Sequence, residues 1–215
     1  YMDFFTMLEK ISVGMLSTIL IFSLTLVFAL PLGWIVAFGR MSKNKILSGI
    51  TGFFISILRG TPLMLQLMVV LYGPYFLAGK SINDWRFPAI IVGFSINYAA
   101  YFAEIYRSGI NAIPVGQYEA ARILGYNKIQ TFFKIILPQV IRVILPAVTN
   151  EVITLVKDTS LAFTVSYVEM FTIAKQIASS NTTLVPFAVA ALFYYVFNLF
   201  VSFVMRKLEK RLNYY

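Results

Sequence analysis

The sequence predicts an all-α integral membrane protein: five transmembrane helices joined by a helical cytoplasmic loop, with the N-terminus outside and the C-terminus inside. Three observations carry that prediction. Hydrophobic residues make up 59% of the 215, and the mean hydropathy of +0.78 is too high for a soluble domain of this size. The apolar residues fall in runs close to the roughly 20 needed to cross a hydrocarbon core. The 18 Lys and Arg residues cluster at the ends of those runs, as topology signals do. The net charge of +9 is therefore not read as a nucleic-acid surface, which would need a basic patch on a soluble domain.

Apolar segments lie at about 11–39, 46–78, 87–103, 139–156, 160–178 and 184–205. The first is far longer than the roughly 7–15-residue core of a signal peptide and lacks a clear cleavage site, so it reads as a span. The second is interrupted by Arg59-Gly60-Thr61-Pro62. Proline removes a donor and clashes with the preceding turn, freeing carbonyls inside the membrane. This is either a broken helix that presents backbone dipoles to a substrate or a kink repaired by Thr61 or water. We prefer the broken helix. The segment 160–178 is diluted by Thr164, Glu169, Thr172, Lys175 and Gln176.

Charge decides how these segments cross. With 46–78 as one broken span and 160–178 not spanning, eleven basic residues face the cytoplasm: Arg40, Lys43, Lys45, Arg107, Arg122, Lys128, Lys134, Arg206, Lys207, Lys210 and Arg211. Five lie outside: Lys10, Lys80, Arg86, Lys157 and Lys175. Letting 160–178 span carries the terminal cluster outside, and crossing twice over 46–78 flips the loop at 104–134. Five spans result, and 160–178 becomes a re-entrant segment or a short helix packed on the outer side. No internal repeat is visible, and residues 1–215 read as a single transmembrane domain.

Polar groups within the spans carry the chemistry. An ionisable residue at membrane depth is costly unless paired or hydrated, and so is a functional candidate. Glu151 lies twelve residues into 139–156, about 18 Å from its inner end and a little past the midplane. Asp158 is two turns further on, near the same face as Glu151 and Thr154. Two carboxylates in one cavity would attract the guanidinium or ammonium of arginine, lysine or histidine. The alternatives are pairing of Glu151 with Arg59, and a cap or a local bond to Thr159 and Ser160 for Asp158. Asn97, mid-span, can bond an amino acid's α-carboxylate or α-amino group, or simply bridge two helices. Met64, with Leu67 and Met68, can line a pore or pack. Glu104 stands three residues before Arg107, the spacing of a local ion pair. We count Glu151, Asp158, Asn97, Met64 and Ser160 as candidate substrate-binding residues.

Several chemistries are excluded. There is no Cys and no His, which removes disulfides, thiolate metal sites and the commonest metal ligand. No GxxxxGK[ST] loop occurs, and the acids are scattered over different spans, so neither ATP hydrolysis nor a catalytic constellation is expected on this chain.

The stretch from Glu119 to Pro138, EAARILGYNKIQTFFKIILP, is charged and favours helix between two membrane-length segments. Pro114 suits a helix start, and Gly125 allows a sharp turn or the close approach of a partner backbone. By itself this stretch also fits an amphipathic helix lying on the inner leaflet. Glu119, Ala120, Ala121, Gly125, Ile135, Leu137 and Pro138 together resemble the EAA loop of the membrane subunits of ATP-binding cassette importers. Arg59 to Leu63 with Gln66, Ala103 to Arg107 leading to Pro114–Gln117, Leu137–Gln139 leading to Leu145-Pro146, and Lys157 to Leu161 resemble segments of the polar amino acid permeases in that superfamily. The resemblance covers about 59–161.

The resemblance implies a pore of the methionine-importer type: five helices per subunit, two subunits, and a home in the prokaryotic plasma (inner) membrane. It implies a coupling helix at about 113–134, docking a separate ATPase through Glu119, Ala120, Ala121 and Gly125. ATP and Mg would then bind that ATPase, with no cofactor on this chain. The implied partners are ATPase subunits, a second permease subunit (the same chain or a close paralogue), an extracytoplasmic amino acid-binding protein, the amino acid itself and the lipid bilayer. The expected function is ATP-driven import of a polar, cationic amino acid by alternating access. The alternative is a secondary transporter driven by an ion gradient, disfavoured by the long cytoplasmic loop and the lack of paired repeats.

Overall fold

A computed structural model describes residues 3–79 and 81–212; Lys80, counted above among the outer charges, lies outside the described residues. The described residues that form regular structure are all helical. Helix α1 (Phe4–Arg40) is about 55 Å long, so its ends stand beyond a hydrocarbon core of about 30 Å. Arg40 closes it with a favourable charge for the helix dipole. After a short turn, Asn44 caps α2 (Lys45–Gly60) by accepting from the Ile46 and Leu47 N–H groups.

Helices α2 and α3 (Leu63–Ala78) meet at Thr61-Pro62 with a bend of 112°, far sharper than a proline kink. α2 leads off across the end of α1, with Arg40 donating to the Ser48 hydroxyl at 2.9 Å. α3 then runs against α4 (Ile82–Asn111), where the Trp85 indole donates to the Val70 carbonyl. Among the described residues four helical segments are long and apolar enough to cross a membrane, or five where the bent pair counts as one span.

Helix α4 is the centre of the bundle. In its most apolar stretch 72% of residues are buried, against 11% in α9 (Val185–Leu212). Glycine permits the tightest crossing: a Cβ at Gly109 would run into the Ile144 side chain, so α4 packs on α7 (Leu137–Asp158) almost backbone to side chain. Gly109→Leu should destabilise by about 2 kcal/mol through overpacking, lowering the melting temperature in detergent by about 5 °C. An unchanged melting curve would show that the two helices can part without cost.

The loop after α4 holds α5 (Val115–Ile123), with Pro114 at the N-cap, then a capped turn, α6 (Lys128–Gln130), and a π-helical turn (Thr131–Ile136) running into α7. Beyond α7, a 3-10 turn (Thr159–Val165) ends at Ser166, whose φ of 55° breaks the helix. The segment at 160–178 is therefore not one element: α8 (Met170–Asn181) is a short helix packed on the first half of α1 and on α9, with Met7, Ile11, Met170, Ala174 and Val189 in a second core.

Candidate functional site

The helical loop owes its shape to two local devices. At the end of α5 the Tyr126 N–H bonds the Ala121 carbonyl and the Gly125 N–H bonds that of Arg122, both at 3.0 Å. This is the Schellman pattern, and it puts Gly125 at φ 79°, a region that side chains resist. A Cβ there would meet nothing within 4 Å, so the glycine answers a need of the turn rather than a packed neighbour in this chain. Asn127 then forms a reciprocal capping box with Gln130, at 2.9 and 3.0 Å. The N-x-x-Q signature is present in the sequence and starts the second helical piece of the loop.

Of the four candidate coupling residues, Ala121 is buried while Glu119, Ala120 and Gly125 are exposed. Around them Ile123 (86% exposed), Leu124 (73%) and Ile129 (71%) stand largely open on the loop. Scattered exposed apolar residues mean little, but this cluster on one short loop is the kind of patch that another protein covers.

The five candidate substrate residues do not form one group. Glu151 lines a polar cavity of about 340 Å³ between α4 and α7, together with Arg59, Tyr101, Glu104 and Arg107. Glu104 is claimed by Arg107, whose Nη2 and Nε lie 2.7 and 3.1 Å from its oxygens, forming the expected local pair. Arg59 is 4.0 Å from Glu104 and sits over the Tyr101 ring at 5.3 Å. Glu151 has neither a hydrogen bond nor an ion pair among the described residues, so the pairing with Arg59 is not made.

Glu151 stands near the loop-bearing end of α4. Its cavity is walled by the last turns of α4, and Thr149 beside it donates to Glu209 at the basic end of α9. Glu151 therefore sits in the part of the bundle that adjoins the last turns of α4.

Asp158 is the acid at mid-depth, and its partner is unexpected: the Tyr98 hydroxyl donates to it at 2.7 Å. Thr159 and Ser160 instead bond the backbone, at the Val156 and Lys157 carbonyls. Tyr98 was missed by sequence reasoning, although a tyrosine inside a span announces the need for a partner. Asn97 is buried and donates to the Leu58 carbonyl at 3.1 Å and to Gln66 Oε1 at 2.9 Å. Gln66 in turn donates to Leu58 and Thr61, and Thr61 to Ile57. The carbonyls freed at Pro62 are thus satisfied by side chains. Met64 opens α3 half-exposed, and Ser160 faces a separate cavity with Lys157, Tyr194 and Asn198.

A further polar centre was not anticipated. Glu169, fully buried, caps α8 by accepting from the Phe171 and Thr172 N–H groups at 2.7 Å, and from the hydroxyls of Thr172 and Tyr194 at 2.9 and 3.1 Å. Burial pushes its carboxyl above the usual range, while these bonds pull the other way. Glu169→Ala should cost on the order of 2–3 kcal/mol by leaving those donors unpaired. Thermal unfolding in detergent checks this, and a shift no larger than that of an exposed α9 substitution would refute it.

Comparison with known proteins accounts for this architecture. Residues 29–214 match the family described as binding-protein-dependent transport system inner membrane component. The L-cystine transport system permease protein TcyB of Bacillus subtilis is 37% identical over 207 residues, covering 95% of this chain and 87% of that protein. The arginine transport system permease protein ArtQ of the same organism is 36% identical over 201 residues, covering 93% and 91%. Among solved structures, one titled as an amino acid ABC transporter with histidines superposes with a TM-score of 0.86 at 31% identity, over 98% of this chain and 99% of that one. The MetNI methionine ABC transporter, at 18% identity and a TM-score of 0.76 over 99% and 100%, shares the fold. These relatives are permease subunits, which are not themselves enzymes. The chain is a multi-pass membrane protein that belongs to the family of binding-protein-dependent transport system inner membrane components.

Proposed function

We propose that this protein is the permease subunit of an ATP-driven importer for polar, cationic amino acids. It sits in the prokaryotic inner membrane with its N-terminus outside and the 113–134 loop in the cytoplasm. The observation that carries the cationic reading is Glu151: a half-buried carboxylate facing a cavity, with no partner among the described residues while its neighbours Glu104 and Arg107 satisfy each other. A side-chain guanidinium or ammonium would neutralise it, and Arg59 would receive the α-carboxylate. Asp158, Asn97, Met64 and Ser160 would belong to the path above that cavity. Asp158 and Asn97 must exchange Tyr98 and Gln66 for substrate if they touch it. The names of the arginine and histidine relatives agree with a cationic substrate, while the cystine relative shows that the fold is not restricted to one.

ATPase subunits would dock on the exposed apolar loop around Glu119, Ala120 and Gly125, a second permease subunit would complete the pore, and an extracytoplasmic binding protein would deliver substrate. The test is uptake of a panel of amino acids into proteoliposomes holding this chain, its partner subunits and the binding protein, with and without ATP. ATP-dependent uptake favouring arginine, lysine or histidine is expected. Uptake indifferent to ATP but driven by a proton or sodium gradient would overturn the proposal in favour of a secondary transporter.

A further inference from the structure

Beside the charged cavity, and sharing Ile144 with it as a wall, lies a second cavity of about 370 Å³. Its lining is aromatic and aliphatic: Trp34 and Phe38 from α1, Phe132 and Phe133 from the π-helical turn, and Ile141 and Val148 from α7. Tyr106 also faces it, but its hydroxyl is directed to the Leu30 carbonyl at 3.3 Å, so the walls offer a polar ligand almost nothing. The Trp34 ring stacks on Tyr106 at 4.2 Å, and Phe38 meets Phe132 at 5.6 Å. The mouth therefore sits at the end of α1, two residues before Arg40, where an aromatic belt marks the membrane surface on the loop side. Phe133 (61% exposed) and Phe38 (49%) stand open there.

Two cations are next in sequence to lining residues, although neither lines the cavity itself. Lys134 follows Phe133 directly, and Arg142 follows Ile141. Arg142 is exposed and has no ion-pair partner among the described residues, while Lys134 Nζ lies 5.9 Å from the centre of the Tyr126 ring. No acid contributes to the lining. An apolar cleft at membrane depth cannot readily take an extended protein segment, whose backbone polar groups would find no partners, whereas a hydrocarbon chain has none to satisfy. Cations at the membrane surface match an anionic headgroup.

We propose that this cavity is a binding site for an anionic phospholipid of the loop-side leaflet, one acyl chain lying between Trp34, Phe132 and Ile141 and the phosphate held by Lys134 and Arg142. The lipid would bridge α1 to the turn that joins the 113–134 loop to α7. It would brace the connection between that loop and Glu151. The inference stands whatever amino acid is carried.

Native mass spectrometry of the assembled transporter, released from nanodiscs of mixed phosphatidylglycerol and phosphatidylcholine, counts the lipids that stay bound. Wild type should retain phosphatidylglycerol over phosphatidylcholine by about tenfold or more. Ile141→Trp, which fills the cavity, should remove one retained phosphatidylglycerol per permease subunit. The double variant Lys134→Gln with Arg142→Gln, which leaves the walls intact, should reduce the preference to near parity. Equal retention of the two lipids by wild type would overturn the proposal, as would lipid counts unchanged in both variants. Separation of the permease subunits by Ile141→Trp, with lipid counts unchanged, would give the cavity to a second copy of the chain instead.

Discussion

Gly125→Trp is expected to reduce ATP-dependent uptake by about tenfold or more while the protein still inserts and folds. Two effects act at this position, and they can be separated. Any Cβ at φ 79° strains the turn by about 1–2 kcal/mol, so Gly125→Ala measures the cost of the backbone alone. Asparagine tolerates that conformation better than other residues, so Gly125→Asn should be the mildest variant. A Cβ here meets nothing within 4 Å in this chain, so the indole projects outward, onto the surface proposed to receive the ATPase. Bulk-dependent loss (Trp far worse than Ala and Asn), with Trp also weakening copurification of the ATPase, is the expected pattern. Equal loss in Ala and Trp would assign the glycine to the turn only. Wild-type transport and ATP dependence in Gly125→Trp would remove the docking role altogether.

Glu151→Gln should cut uptake of cationic amino acids by about tenfold or more, the equivalent of about 1.4 kcal/mol or above for a half-desolvated charge pair. ATP hydrolysis should survive, because Glu151 lies in the α4–α7 cavity and is separate in the chain from the 113–134 loop. Asp158→Asn gives the contrast. Its carboxylate already accepts from Tyr98 at 2.7 Å, and asparagine can accept the same bond, so a smaller loss is expected if the acid serves structure. If instead Asp158→Asn abolishes uptake while Glu151→Gln leaves it intact, the cationic site belongs at mid-depth beside Tyr98, and the loop-side cavity is only an exit.

Where the spans and the loop lie could be read residue by residue. Hydropathy and the positions of basic residues located the crossing segments, because burial in lipid imposes length and composition on any helix, whatever its neighbours. The break at Thr61-Pro62 was legible for the same local reason, since proline removes a donor wherever it stands. Its angle was not: a bend of 112° depends on α2 crossing the end of α1 and on Asn97 and Gln66 gripping the freed carbonyls.

Spacing along one helix placed Glu151 and Asp158 near a common face, and that much follows from helical period alone. Which of the two is free is a matter between helices. Tyr98 reaches Asp158 from α4, and the contact of Gly109 with Ile144 sets how closely α4 and α7 approach. Glu169 makes the same point, reading in sequence as a residue that weakened a span and standing in the fold as the buried cap that ties α8 to Tyr194 of α9. The sequence by itself determined the membrane class, the spans and the loop, because those depend on free energies that each segment settles with lipid or water. Only the tertiary structure decided which polar side chains satisfy one another and which is left facing a cavity, because a hydrogen bond reaches about 3 Å and its partner stands on another helix.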